Sequence, residues 1–257
     1  MMENKGKKTA ILETGDRILR LLECFNADKP EWGVTELSEQ LGLYKSVVHR
    51  MLVTLENRGF VSKSPITQKY SLGIKLFELG TIVSDRMSLR TIAKPIMEDL
   101  CASSSETVML MIVDGYEGIC IEKVESPQSV RYTSPLGKRV SLHAGATTKI
   151  LLANLSPDKI NKIISNGLQK YTDYTIVDPS ELLDHLQTIR EQGYCISAND
   201  FSLGGMGIAV PIRDHMGQVI AGLSISGLEF RMNKITDQLL QQCQNAAELI
   251  SARLGGV

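Results

Sequence analysis

Residues 34–59 read VTELSEQLGLYKSVVHRMLVTLENRG and decide how the first part of the chain folds. Leu37 and Leu41 fall on one side of a short helix, and Gly42 allows the sharp turn that ends it. A second helix is predicted over residues 44–57. Two helices joined by a tight turn are typical of a helix-turn-helix, whose second helix places its first residues against base edges in the major groove.

The second helix and the segment after it form a local basic patch. Between residues 44 and 70 five cations stand against the single anion Glu56, in a chain whose net charge is only -1. This distribution indicates a small DNA-reading module, although a charge-rich helix is more often only a solvated face. The residues expected to contact DNA are Thr35, Tyr44, Lys45, Ser46, His49, Arg50, Lys63, Lys69 and Tyr70.

A short hairpin is predicted directly after the second helix. Phe60 and Val61 begin one strand, the polar stretch SKSPITQ (62–68) forms a turn, and residues 69–72 return. Such a hairpin is the wing of a winged helix, which grips the phosphate backbone or the minor groove. The alternative is an ordinary surface turn.

Length and composition limit the class of protein. With 257 residues, 43% of them hydrophobic and 22% charged, the chain suits two modest globular domains. The five cysteines are scattered and form no C-x-x-C pair, which favours reduced thiols and disfavours a zinc or disulfide framework. The sequence carries no signal peptide and no membrane-spanning run, so we expect a cytoplasmic protein without a membrane partner.

A long helical pattern begins at Gly73 and breaks near residues 85–88. Its first half is apolar on more than one side, so we expect it to pack against a second copy of the chain or against the first domain, and we predict a homodimer or a tetramer. The expected organisation is a flexible tail (1–13), a winged helix-turn-helix DNA-binding domain (14–72), a linker helix (73–90) and an effector-binding and oligomerisation domain (91–257).

The second domain is predicted to be α+β. Strands are expected at 107–113, 118–124, 129–132, 139–141, 194–197, 207–212 and 219–226, and helices at 146–155, 157–166, 179–192 and 235–253. This order of strands and helices predicts helices packed on an antiparallel sheet.

The sequence gives little support for catalysis. The candidate groups are His143 near Lys149, Cys195 near Asp200, and the glycines of residues 203–207. No G-x-S-x-G elbow is present, and the glycine-rich stretch leads into a strand instead of the helix that a phosphate loop requires. The four histidines do not stand at metal-ligand spacing. We therefore predict no catalytic site, no metal-binding residues and no cofactor, and the sequence leaves open whether a metal is bound.

A small-molecule pocket fits the second domain better. Ser224 and Ser226 alternate with Ile225, so their hydroxyls point the same way and a polar ligand could satisfy them. The alternative is that both hydroxyls bond neighbouring backbone. The helix that starts near residues 145–148 offers free N–H groups and a positive dipole end, which suit a carboxylate.

Three stretches together resemble the IclR family of bacterial transcriptional regulators, and the resemblance covers the chain from about Gly15 to its end. Residues 34–61, together with the end of the wing and the start of the linker helix in KYSLGIKLFELG (69–80), are similar to the family's winged helix-turn-helix. SPLGKRVSLHAGATTKILLA looks like the family's P-L-H-A-[ST]-x-x-G-K-A-x-L-A motif. GYCISANDFSLGGMGIAVPIRDHMGQVIAGLSISG resembles the signature region of its effector domain.

The resemblance implies a GAF/profilin-like effector domain and dimers or tetramers on near-palindromic operators in double-stranded DNA. It also implies a small-molecule effector, such as an organic acid, a sugar acid or an aromatic catabolite, that alters DNA binding. The family's effector-contacting positions, carried over residue by residue, fall at Tyr132, Ala146, Thr147, Ser197, Gly207, Ser224 and Ser226.

The chain departs from the family at four positions within the second and third of these stretches. Many members have Cys, Ser or Ala at Gly207, most have Glu at Asp200, the family has Gly at Thr148, and other members often have Asp at Ser197. The loss of the acid at Ser197 and of a side chain at Gly207 removes polar anchors, and it predicts a ligand other than a simple keto acid or a larger site.

Two other hypotheses stay open on the sequence alone. One is a metabolite-binding or enzymatic protein with a vestigial helix-turn-helix, and the other is a helix pair that binds protein. The sequence does not identify the effector or distinguish a repressor from an activator.

Overall fold

The computed structural model describes residues 12–26, 28–85, 88–132 and 134–255. Its contacts divide the chain into two compact units, residues 1–86 and residues 87–257. Most of the predicted flexible tail, residues 1–11, lies outside the described residues.

The first unit is a winged helix-turn-helix, as predicted. Its elements are α1 (Glu13–Glu23), α2 (Val34–Leu41), α3 (Lys45–Asn57), β1 (Val61–Lys63), β2 (Tyr70–Leu72) and α4 (Ile74–Asp85). Gly42 ends α2 in the left-handed region (φ +66°), and the Ser38 hydroxyl donates to the Leu43 carbonyl oxygen at 2.6 Å. These contacts fix the turn that sets α3 against α2.

The core of this unit joins the first three helices to the wing. Leu21, Leu37 and Leu52 are fully buried, one from each helix. Trp32 packs against them and donates its indole N–H to the Cys24 carbonyl oxygen at 3.0 Å. The Trp32 backbone pairs with Tyr70 of β2, so the wing is attached to the helices by hydrogen bonds as well as by packing.

The second unit contains a six-stranded antiparallel sheet and its covering helices. Its strands are β3 (Thr107–Asp114), β4 (Glu117–Val124), β5 (Arg139–Ser141), β6 (Cys195–Ala198), β7 (Gly205–Arg213) and β8 (Val219–Leu228), in the order β5-β4-β3-β8-β7-β6. Its helices are α5 (Ser88–Ser104), α6 (Ala146–Ala153), α7 (Pro157–Ser165), α8 (Pro179–Gln192), α9 (Glu229–Met232) and α10 (Thr236–Arg253).

The sheet separates two apolar layers. Because successive side chains of a strand point to opposite faces, Val108 and Leu110 pack with α5 and α10, whereas Met109 and Met111 pack with α6, α7 and α8. The α+β class and the antiparallel sheet are therefore confirmed. In the part of the chain that the structure describes, no helix has the length and apolar character needed to cross a bilayer.

The strand predicted at residues 129–132 is wrong. This segment is a loop, because side chains take the backbone groups that a strand would need. Arg231 donates to the Val130 carbonyl oxygen at 2.9 Å, and the Thr107 hydroxyl donates to the Tyr132 carbonyl oxygen at 2.7 Å. The Arg231 guanidinium also forms a two-point ion pair with the buried Glu106 carboxylate (2.6 and 2.7 Å), so the loop is held firmly at both ends.

Gly73 is required where the wing meets α4. A Cβ atom at this position would lie 2.1 Å from the Gly59 carbonyl oxygen, a backbone atom that cannot yield easily. We predict that Gly73→Ala destabilises the first unit by about 1–3 kcal/mol through overpacking. Gly80→Ala, at a helical site with open space around it, should stabilise the unit by about 0.4–1 kcal/mol.

Trp32 is the single tryptophan of the chain, so urea unfolding followed by tryptophan fluorescence reports on this unit. If Gly73→Ala and Gly80→Ala unfold at the same urea concentration, the predicted clash at residue 73 does not occur.

Candidate functional site

The start of α3 presents a set of side chains that the fold does not use. Tyr44 is 85% exposed, and the residues that follow it on the same surface are exposed too: Lys45, Ser46, His49 and Arg50. None of these five side chains makes a hydrogen bond or an ion pair with the described residues. Positions three and four apart share one helix face, so Ser46, His49 and Arg50 form one surface.

The two lysines of the wing differ in their partners within the protein. Lys69 lies 3.5 Å from the Glu36 carboxylate, which Lys29 also approaches at 3.2 Å, and Lys63 lies 5.6 Å from the Tyr70 ring. The N–H of Gly33 bonds the same carboxylate and, with the two lysines, lowers the pKa of Glu36. Thr35 is exposed at the start of α2.

Tyr70 is the residue for which the structure contradicts a DNA contact. Its side chain is only 1% exposed and packs in the core of the first unit. A buried ring cannot reach a phosphate, so the prediction that Tyr70 touches DNA is wrong. Its backbone pairing with Trp32, which no local sequence pattern signals, is what turns the ring inward.

The second unit holds a cavity between the sheet and the start of α6. The centres of water-sized spheres can reach about 70 Å³ of it, which is room for several water molecules or a small ligand. The lining residues are Met109, Met111, Tyr132, Ser134, Val140, Ala144, Gly145, Ala146, Thr147, Thr148, Ser197, Asp200, Phe201, Ser202, Gly205, Met206, Gly207 and Ser226.

Strand register places three of the predicted effector residues side by side. Ser197 of β6 pairs with Gly207 of β7, and Gly207 pairs with Ser226 of β8. The three residues form one row across the sheet, with a glycine between two hydroxyls. Because Gly207 has no side chain, the row is open at its middle.

The open middle of this row faces the N-terminus of α6. A Cβ atom built on Gly207 would lie 3.1 Å from the Ala146 Cβ, 3.7 Å from the Ser226 Oγ and 3.9 Å from the Ala146 nitrogen. None of the hydrogen bonds among the described residues is donated by the backbone N–H of Ala146, Thr147 or Thr148. A ligand at this position would meet a hydroxyl, helix N–H groups and the positive end of the helix dipole.

Ser197 contributes a buried hydroxyl that lacks a partner. The residue is 8% exposed, and its Oγ accepts and donates no well-formed hydrogen bond within the described part of the chain. The hydroxyl lies near the Asp200 carboxylate and helps to lower its pKa, but the geometry is not that of a hydrogen bond. Buried polar groups are normally satisfied, so this hydroxyl can bond a polar atom of a water molecule or a ligand in the cavity.

A buried ion pair supports the cavity. Lys149 of α6 lies with its Nζ 2.8 Å from the Asp200 Oδ2, and both side chains are at most 9% exposed. The Gly145 N–H donates to the same oxygen at 3.1 Å. Burial by itself raises the pKa of Asp200, but the Lys149 charge and the hydrogen bonds around the carboxylate outweigh it and hold the pKa below its ordinary value.

The cavity brings together six of the seven predicted effector residues, namely Tyr132, Ala146, Thr147, Ser197, Gly207 and Ser226. Ser224 lies outside the lining. It is fully buried two residues before Ser226 in β8, and its Oγ accepts the Thr147 hydroxyl at 2.7 Å. The protein itself therefore satisfies this serine through the Thr147 side chain.

The sequence-based set omitted the apolar walls and the acidic group. Met109, Met111 and Phe201 carry no local signal, because alternating apolar residues predict only a strand. Asp200 could have been included, since it stands within the motif that resembles the family's signature region.

The groups considered for catalysis do not form a reactive site. Burial raises the pKa of the Cys195 thiol to about 12, so it stays protonated. His143 is buried and bonds the Gln169 carbonyl oxygen through Nε2 at 2.8 Å. Among the residues described, no group of three or more His, Cys, Asp or Glu side chains is arranged to hold a metal ion.

Comparisons with known proteins agree with both units. Residues 15–65 match the sequence model of the IclR helix-turn-helix domain, and residues 81–252 match that of the bacterial transcriptional regulator IclR C-terminal domain. The chain is 36% identical over 256 residues to the HTH-type transcriptional regulator KipR of Bacillus subtilis, with 99% of each chain covered. It is 30% identical over 268 residues to the transcriptional repressor IclR of Escherichia coli, covering 98% and 97%.

A solved structure is similar as well. It is an IclR homologue from Microbacterium hydrocarbonoxydans complexed with 4-hydroxybenzoate, 26% identical, with a TM-score of 0.86 and coverage of 94% of this chain and 98% of that one. The matched domains and the two curated relatives are transcriptional regulators, not enzymes.

We predict that Lys149→Met lowers the free energy of unfolding of the second unit by about 3–5 kcal/mol, because it leaves the Asp200 carboxylate buried without its cation. The double variant Lys149→Met/Asp200→Leu should regain most of this loss, since an apolar pair replaces an ion pair at little cost. Urea unfolding followed by far-UV circular dichroism measures both. A double variant less stable than the single one would contradict the account.

The ion pair between Lys149 and Asp200 makes the stability of the second unit depend on pH. The folded pKa of Asp200 lies below its ordinary value of 3.8, so its stabilisation is complete above that value and is lost as the pH falls through the folded pKa. We expect the wild type to lose stability relative to the double variant as the pH is lowered from 5 to below 3.8. Parallel curves over that interval would argue against an ionised Asp200.

Proposed function

The chain belongs to the IclR family of bacterial transcriptional regulators, and from that membership we propose that a small molecule in the cavity of the second unit controls its binding to operator DNA. The observation that carries the proposal is the cavity itself, with an unpartnered buried hydroxyl and free helix N–H groups at one end. A related protein that was solved with a bound hydroxybenzoate supports it.

The proposed effector is a small organic acid, a sugar acid or an aromatic catabolite. Its acid group would accept hydrogen bonds from the N-terminus of α6 and from the Ser226 hydroxyl, while Met109, Met111 and Phe201 cover its apolar part. Tyr132, Thr147 and Ser197 complete the walls. We propose that Ser224 takes part only by holding Thr147.

The proposed DNA contacts lie at the start of α3 and on the wing. Tyr44, Lys45, Ser46, His49 and Arg50 would meet bases and phosphates in the major groove, and their exposure without internal partners supports this role. Thr35, Lys63 and Lys69 would contact the phosphate backbone, with Lys69 exchanging Glu36 for a phosphate.

We further propose that the chain acts in the cytoplasm as a repressor dimer, or a dimer of dimers, on near-palindromic sites. One curated relative is named a transcriptional repressor. The helix α4 exposes large apolar side chains, namely Ile74, Phe77, Leu79 and Ile82, which a second copy could cover. Sedimentation equilibrium of the purified chain tests this, and a monomer at micromolar concentration would refute the dimer.

Selection of genomic DNA fragments by the purified protein would identify the operator. On that operator we predict that Arg50→Ala weakens binding by about 1–3 kcal/mol, because an arginine that bonds a base edge is worth that much. Arg20→Ala removes the same charge from an exposed position on α1 and should change affinity far less. Fluorescence anisotropy with labelled operator measures both, and equal affinities for the two variants would remove Arg50 from the recognition surface.

We predict that Gly207→Ala weakens effector binding by about fivefold to 150-fold, since its methyl group would lie 3.1 Å from the Ala146 Cβ and close the open middle of the row. Titration calorimetry with a panel of small carboxylates measures this, followed by anisotropy of the operator complex with each acid that binds. Gly80→Ala is the control. If no acid binds the wild type or alters its DNA affinity, the proposed effector control is refuted.

A further inference from the structure

One corner of the cavity contains a carboxylate oxygen and a hydroxyl that the protein leaves unmatched. Lys149 and the Gly145 N–H both contact the Asp200 Oδ2. No hydrogen bond in the described part of the chain reaches the Asp200 Oδ1, although the residue lines the cavity. Ser197, the unpartnered hydroxyl, lines the same cavity close to this carboxylate.

The charge of this corner is balanced. Asp200 is the one charged residue among the described residues of the lining. Lys149, which does not line the cavity, neutralises it, with its Nζ 2.8 Å from the Asp200 Oδ2. A cationic ligand group would approach the carboxylate against the field of that ammonium, which is itself buried. The corner therefore offers strong hydrogen-bonding capacity without a net charge to attract an ion.

The two unmatched groups define the chemistry of the ligand group that fits between them. The carboxylate oxygen only accepts, so the ligand must donate to it, and the serine hydroxyl can both donate and accept. A ligand hydroxyl donates to Asp200 and accepts from Ser197 with a single oxygen atom. A carbonyl cannot donate, and an ammonium cannot accept and is repelled by Lys149.

We propose that Asp200 is a specificity-determining residue of this cavity, held in place by Lys149, and that with Ser197 it selects effectors that carry a hydroxyl group in addition to their acid group. The inference rests on the proposed function, which places the acid group at the N-terminus of α6. It goes beyond it by assigning the hydroxylated acids as the ligand class and by naming the residues that read the hydroxyl.

The test uses matched acids on the full chain. Each hydroxy acid is paired with the acid that lacks the hydroxyl and with an amino counterpart: lactate with propionate and alanine, 3-hydroxybutyrate with butyrate and 3-aminobutyrate, and 4-hydroxybenzoate with benzoate and 4-(aminomethyl)benzoate. Titration calorimetry gives the ratio of dissociation constants within each set. A hydrogen bond to a buried carboxylate should favour the hydroxy member of at least one set by tenfold or more.

Two variants and one control assign the preference. Ser197→Ala removes the hydroxyl that donates to the ligand, and Lys149→Met/Asp200→Leu removes the carboxylate without leaving a buried ammonium unpaired. In both variants we expect the preference to disappear: the affinity for the hydroxy acid divided by the affinity for the unsubstituted acid should fall to within about threefold of unity. Asp184→Asn, which removes one negative charge from an exposed position on α8, should keep the wild-type ratio.

The outcomes separate this inference from the proposed function. If acids bind and shift operator affinity but no set favours its hydroxy member, or the preference survives both variants, Asp200 is not the selecting residue and effector control stands. A preference for the amino members overturns the argument from charge balance. If none of the acids binds the wild type, both the inference and the proposed acid effector fail.

Discussion

The cavity of the second unit depends on the buried contact between Lys149 and Asp200. The two residues belong to α6 and to the loop after β6, and their side chains meet where neither charge could be stable alone. The same carboxylate binds the Gly145 N–H at the start of α6, and the Asp200 carbonyl oxygen accepts the Thr175 hydroxyl at 2.6 Å. One ion pair thus fixes both the helix end that faces the ligand and the loop that closes the site.

Strand register does the rest of the positioning. A shift of one residue between β6 and β7 would send Ser197 to the opposite face of the sheet, where α5 and α10 pack. A shift of two residues toward the end of β7 would place Ala209 instead of Gly207 opposite it and close the row with a methyl group. The contrast between Ser226, which lines the cavity, and Ser224, which the Thr147 hydroxyl satisfies, follows from the same two-residue spacing along β8.

The sequence predicts the elements that carry local signals and misses what long-range contacts decide. Helix α8 begins and ends as predicted, at Pro179 and Gln192, because Asp178 caps its first turn and Gly193 ends it in the left-handed region. The segment at 129–132 has strand-like alternation, but contacts from Arg231 and Thr107 hold it as a loop. The pairing of Lys149 with Asp200 likewise has no local signal, so sequence reasoning placed both among catalytic candidates and not in the cavity.

The two proposed sites differ in how strongly physical chemistry alone argues for them. An exposed side chain such as Arg50 costs nothing when it lacks a partner, so exposure at the start of α3 does not by itself indicate DNA, and family membership has to supply that step. A buried hydroxyl without a partner does carry a cost, which the fold bears unless something else satisfies it. Ser197 is such a group, next to a carboxylate that still has an oxygen to offer. The chemistry of the effector can therefore be argued from the protein's own unsatisfied atoms, whereas the base sequence of the operator cannot.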